Sequence, residues 1–192
     1  MPPTPYRAFT VKSSGHADRI MTRVGVRAAI DPTNPPSQLP PAIDAVALWD
    51  TGASRSVIAG DLATHLGLTA VGATMVNHAD GQTKSLTHLV NFDLPNRVGV
   101  AGVLVTEFKA PPDFKVLIGM DIIGLGDFSI TNYQGRTCMS FRVPSVKEID
   151  YVVEANRIAW ATVGRNQPCP CGKKNDKGEP VLFKFCHKPL LE

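Results

Sequence analysis

The chain has 192 residues, 43% hydrophobic and 19% charged, with a formal net charge of +3. That balance excludes a disordered or fibrous chain and allows an ordinary hydrophobic core plus a small appendage. Sixteen Gly and sixteen Pro separate short apolar runs, which favours strands and turns over long helices and makes an all-β core the expectation. In chain order, the start Met1-Pro2-Pro3-Thr4-Pro5 lacks the basic and apolar regions of a secretory signal, and no stretch approaches the ~18 apolar residues of a membrane span. The expected location is cytoplasmic, with no membrane partner. Residues 6–11 and 20–30 read as strands. The segment 31–41 carries five prolines and must be an irregular loop, because proline cannot donate to a strand ladder.

A strand resumes over 43–49 and runs directly into Asp50-Thr51-Gly52-Ala53-Ser54, where the glycine forces a turn, with a short strand at 57–58 beyond it. Residues 61–66, followed by Gly67 as a left-handed cap, predict a short helix. Two strand-like runs, 74–78 and 85–92, flank Ala79-Asp80-Gly81-Gln82, and an Asp-Gly pair in that setting predicts a hairpin. Further strands are expected at 98–108, 116–118, 128–131 and 137–143, with a short helix over 120–124. After Pro144 the pattern changes. Ser145 and Glu148 form a capping box, and Val146, Ile149 and Val152 or Val153 recur at helical spacing, so a linking helix is predicted from there to about residue 159. The domain reading is 1–144 for the β domain, 145–163 for the linking helix and 164–192 for a small terminal module.

The chemistry centres on Asp50. Acid hydrolysis of a peptide needs one carboxylate to take a proton from water and another to donate one to the carbonyl oxygen. Apolar Ala47-Leu48-Trp49 brings the chain through the core, Asp50 emerges, Gly52 allows close backbone approach, and Ala53 is small enough not to crowd the site. The Asp-Thr-Gly tripeptide occurs once. Asp80, Asp93 and Asp121 lack its flanking pattern, so a second carboxylate has to come from another copy across a two-fold axis. Asp-Thr-Gly alone is also an ordinary turn sequence. A phosphoryl-aspartate site fits less well, because Gly52 stands where such a site would want a second acidic residue.

The run Ala47 to Ser54, together with Val116-Leu117-Ile118-Gly119-Met120-Asp121, resembles the retropepsin family of homodimeric aspartic proteases, in particular its cellular and bacterial members. The resemblance covers about residues 20–143 and implies a closed β-barrel or sandwich protomer with a flap hairpin and short helices. It implies a catalytic role for Asp50 and a bracing hydroxyl at Thr51, with Gly52 completing the catalytic motif. Ala53 and Gly119 would be structural supports. A substrate-binding flap is expected at His78, Ala79, Asp80, Gly81 and Gln82, more polar than the glycine-rich viral flap. Trp49 is bulkier than the aliphatic residue usual before the catalytic Asp. No cofactor is implied for catalysis, and the implied substrate is a peptide or protein.

Three of the four cysteines fall in the last 24 residues. Cys169, Cys171, Cys186 and His187 supply four soft or borderline ligands in a segment too short for its own core, which points to a structural, tetrahedral zinc ion. The run Gly164 to Lys174, ending in Phe185-Cys186-His187, resembles the SEC-C zinc motif, with a longer loop through residues 175–180 than is usual there. Six basic residues stand against three acidic ones from Gly164 onward. A solvated surface explains them, nucleic acid is not an expected partner, and a protein partner is the reading for this module. His16, His65, His88 and Cys138 read as packed or exposed rather than functional. The leading reading is a homodimeric aspartic endopeptidase with a zinc-bearing recruitment tail; the alternative is a non-catalytic dimeric peptide-binding adaptor with the same tail.

Overall fold

The computed structural model describes residues 6–31, 33–78 and 81–187. The chain divides into two compact units, Met1–Val146 and Lys147–Glu192.

The first unit is built from strands, as the Gly and Pro punctuation predicts. Strand β1 (Arg7–Lys12) is followed by β2 (Ile20–Ala28), β3 (Ile43–Trp49) and β4 (Val57–Ala59). Helix α1 (Gly60–His65) leads to β5 (Gly72–His78), β6 (Gly81–Leu94), β7 (Val98–Phe108) and β8 (Val116–Ile118). Helix α2 (Met120–Ile123), β9 (Asp127–Thr131) and β10 (Cys138–Val143) complete it. Six strands form a closed ring in the order β2-β3-β8-β4-β7-β6, and β6 pairs back onto β2 to shut it. The ring is mixed: β3–β8 and β4–β7 are parallel and its other pairings are antiparallel. Closure leaves the ring without a free edge of its own. Strand β5 hangs from β6 as the outer arm of the hairpin, and β1-β10-β9 form a separate antiparallel sheet.

Period-two alternation sends one face of each ring strand inward. In β3 that face is Ala45, Ala47 and Trp49. With Val24, Val26, Ile58, Val90, Phe92, Val105, Val116, Ile118 and Ile122 they make the core. Each fully buried Val, Ile or Phe contributes roughly 1.5–3 kcal/mol. The bulk of Trp49 is explained here. Its ring stacks on Phe128 at 5.6 Å and meets Phe9 and Phe141 at 5.8 and 5.2 Å, joining the ring to the three-stranded sheet. Its Nε1–H donates to Thr22 Oγ1 at 3.0 Å, so the buried indole is satisfied. His88 is packed, as expected: one ring nitrogen lies 2.8 Å from Glu107 Oε1 and the other 3.2 Å from the Thr69 carbonyl.

Helix α1 ends where the sequence places its cap, with Gly67 at φ +61° donating to the Thr64 carbonyl. The linking helix does not begin where the capping box predicts. Ser145 Oγ donates instead to Asp127 Oδ1 at 2.5 Å, and helix α3 starts at Tyr151, capped by Asp150, which accepts from the Val152 and Val153 N–H groups. A serine already committed to a distant carboxylate cannot cap.

In the second unit α3 (Tyr151–Trp160) precedes a loop and the short helix α4 (Phe183–Cys186). Trp160 sets its ring edge-on to Phe183 at 6.2 Å and to His187 at 4.6 Å. The long loop is closed by Asn175, whose Oδ1 accepts from the Lys177 and Glu179 N–H groups, with Gly178 at φ +80° completing the turn. Among the described residues no helix is long and apolar enough to cross a membrane.

Candidate active site and metal centre

Asp50 is the first residue beyond β3, and its position follows from the parallel pairing of β3 with β8, in which Trp49 lies opposite Ile118. The next backbone link is the Asp50 N–H, which donates to the Ile118 carbonyl at 2.9 Å. Asp50 as a residue is half-buried, and its Oδ1 accepts from the Gly52 N–H at 2.8 Å. A turn from Ala53 N–H to the Asp50 carbonyl, 3.2 Å, holds the loop's curvature. Thr51 and Gly52 are exposed. Sequence reasoning therefore put Asp50, Thr51, Gly52 and Ala53 on one tight loop at the end of a ring strand, and the fold has them there.

Gly119 meets this loop from the β8–α2 corner. A Cβ on it would lie 2.6 Å from the Arg55 carbonyl carbon, 2.7 Å from the Arg55 oxygen and 2.9 Å from the Ala53 oxygen. Only a residue without a side chain allows the two backbones to lie this close. Met120 N–H then donates to the Ala53 carbonyl at 2.8 Å.

Ser56 carries no sequence signal at this corner, and Asp121 stood only as the end of the Val116 to Asp121 segment, with no role of its own. Ser56 is fully buried; its N–H and hydroxyl both donate to the Asp121 carboxylate, at 2.9 and 2.7 Å, and its oxygen accepts from the Gly119 N–H at 3.0 Å. Serine and aspartate are common in loops, and only the long-range fold brings this pair together.

The expected flap lies on the β5–β6 hairpin. Pairing runs in register from Gly72↔Thr87 to Asn77↔Gln82 and His78↔Gly81. Ala79 and Asp80 lie outside the described residues.

In the second unit Cys169, Cys171, Cys186 and His187 converge, with their ligand atoms all within 4.8 Å of one another. Cys169 Sγ and Cys186 Sγ each lie 3.2 Å from His187 Nδ1, and Cys171 Sγ lies 3.6 Å from Cys186 Sγ. The sulfur separation is far beyond the ~2.05 Å of a disulfide. It is close to the edge of a tetrahedron with metal–sulfur bonds of about 2.3 Å. Burial and the neighbouring Cys171 and Cys169 thiols push the Cys186 thiol up to about 11. The Lys173 backbone N–H and the Cys169 thiol draw Cys171 below its ordinary value. Crowded thiols resist ionising together, and a divalent cation among them removes that penalty. The donor set fits a metal ion and is consistent with zinc.

The chain is similar to the crystal structure of a retropepsin-like aspartic protease from Rickettsia conorii, with a TM-score of 0.43 and 12% identity over 74% of this chain and 98% of that one. It is also similar to the solution structure of Simian Foamy Virus (mac) protease, with a TM-score of 0.35 and 13% identity over 54% and 92% of the two chains. No match was found among curated proteins. A family model described as aspartyl protease matches residues 43–122, from the first residue of β3 to the middle of α2 and so across both Asp50 and Gly119; that match supports the aspartic proteases as the family of this segment.

Proposed function

We propose that the chain is an aspartic endopeptidase that works as a homodimer, with one Asp50 from each copy forming the active site. The observation that carries this reading is the setting of Asp50, on a tight loop clasped to the β8–α2 corner, within the segment that matches the aspartyl protease family. Each chain supplies one such loop, so a two-fold axis beside it brings two carboxylates together. At ~4 Å and an effective dielectric of ~20, the two charges repel by about 4 kcal/mol. That separates the two titration steps by roughly 3 pK units. The dyad then holds one shared proton over a broad pH range. The ionised member takes a proton from the attacking water while the protonated member donates to the scissile carbonyl oxygen. In this reading the Thr51 hydroxyl braces the dyad across the dimer, Gly52 orients the carboxylate through its N–H, and the hairpin residues His78 to Gln82 cover the substrate.

Cys169, Cys171, Cys186 and His187 hold a structural zinc ion in a SEC-C-type module. With four protein ligands no position remains for water, so the ion orders the segment and takes no part in hydrolysis. The module recruits a protein partner or substrate, and the whole protein acts in the cytoplasm. Replacing Asp50 by Asn tests the central reading, because it nearly preserves shape while removing the shared-proton arrangement. Wild type should cleave members of a peptide library with a bell-shaped pH profile, and Asp50→Asn should cleave none. Adding excess Asp50→Asn chain to wild type should suppress cleavage by forming dimers with a single carboxylate. Equal activity of wild type and variant would overturn the proteolytic mechanism; undiminished activity in the mixture would overturn the dimer.

A further inference from the structure

We infer that Ser56 and Asp121 are positioning residues that set the orientation of the Asp50 carboxylate without touching it. The inference deepens the protease reading and rests on it where activity is concerned. Its basis is the chain of hydrogen bonds at the far end of the catalytic loop. Asp50 begins that loop and Ser56 ends it, and both ends are fastened to one short stretch, residues 118–121.

The fastening runs in order. Asp50 N–H donates to Ile118, Met120 N–H donates to Ala53, Gly119 N–H donates to Ser56 Oγ, and the Ser56 N–H and hydroxyl both donate to Asp121. The direction of each bond is forced. The Ser56 hydroxyl has one proton; because it accepts from Gly119, that proton goes to Asp121. Asp121 receives three donors, the Ile122 N–H at 3.0 Å being the third. A carboxylate satisfies all three because it is acceptor-only when ionised.

The carboxylate matters, not merely its shape. Asparagine at 121 would turn an NH2 group toward either the Ser56 N–H or the Ser56 hydroxyl. Facing the N–H, it opposes donor to donor. Facing the hydroxyl, it forces the Ser56 proton away, toward the Gly119 N–H. Either way one link fails, and Ser56 is fully buried, so water cannot replace it. The slack passes along the backbone to Ala53 and Asp50, since Gly119 fixes both strands of the clasp at contact distance. Misplacement of a reacting group by about 1 Å can cost about 100-fold in rate.

The test compares full-length wild type with Asp121→Asn, reading two resonances at one fixed pH: the Gly52 amide proton, which donates to Asp50, and the Asp50 carboxyl carbon. Both should shift in the variant although residue 121 touches neither group. In cleavage assays kcat should fall about 10- to 100-fold, with KM changed by no more than about twofold. A variant that melts earlier yet keeps both resonances and its kcat per folded chain would overturn the inference, because its role would then be structural support alone. Should wild type cleave nothing, the protease reading fails while the two resonances still decide the clasp. Ser56→Cys, which keeps the shape and weakens both of its side-chain bonds, carries the same expectations if Asp121→Asn does not fold.

Discussion

A methyl group on Gly119 would be driven into the Arg55 and Ala53 carbonyl groups, and because these are backbone atoms nothing can rotate aside. Gly119→Ala should therefore destabilise the first unit by about 1–3 kcal/mol, as overpacking of a tight core does. It should also lower activity beyond what the stability loss explains, because the strain sits on the catalytic loop. Urea denaturation paired with a cleavage assay on the folded variant checks both; an unchanged midpoint would mean that the corner has room. At this scale Asp50 and Gly52 were legible because a strand-ending aspartate followed by glycine marks tight backbone geometry, while Gly119 was picked out by the family resemblance alone. Ser56, and its pairing with Asp121, were not legible. Nothing in their local context distinguishes a buried serine and its carboxylate from two loop residues in water. The fit of the bulky Trp49 was equally hidden, since its aromatic neighbours Phe9, Phe128 and Phe141 come from three distant strands.

Among the elements, the misplaced start of α3 points to Asp127. The Ser145 hydroxyl, the Val146 N–H and the Arg142 guanidinium hold its carboxyl at about 2, well below its ordinary 3.8. A group whose folded value is depressed contributes stability above its unfolded value and loses it as pH falls through the folded one. The contribution of Asp127 is thus complete above about pH 4 and disappears between there and about pH 2. Asp127→Asn should lower stability at neutral pH and flatten that part of the acid limb, measured by denaturant midpoints across the range. An acid limb of unchanged steepness would remove Asp127 from the account. Strands were readable here because period-two alternation and flanking Gly and Pro are local signals. The capping box failed because a competing long-range partner took the serine. Parallel β3–β8 pairing and the β2–β6 closure leave no local trace at all, so the ring itself rested on resemblance until the fold was in view.

For the molecule as a whole, the two units should respond differently to metal removal. A structural zinc contributes an apparent 10–16 kcal/mol to the folding of comparable small modules. A strong chelator should make residues 164–187 sensitive to protease while leaving the first unit's unfolding midpoint unchanged. Equal protease resistance before and after chelation would count against the four-ligand assignment. The cluster of Cys169, Cys171, Cys186 and His187 was legible from spacing and from the crowding of cysteines at one end. The Asn175 turn that lets the longer loop close was not, since Asn is common in loops of every kind.

The pairing of β1 with β10, which sets Arg7 opposite Val143, has a consequence for how the protein comes into being. A ribosome delivers the chain from its N-terminus at about 5–20 residues per second. Asp50 emerges while β8, the strand its loop leans on, is still unmade, and the first strand waits for almost the last of its unit. Under the proposed reading the nascent chain carries its reactive carboxylate unformed past the tunnel exit and past its neighbours. Latency during synthesis is then written into the order of the strands.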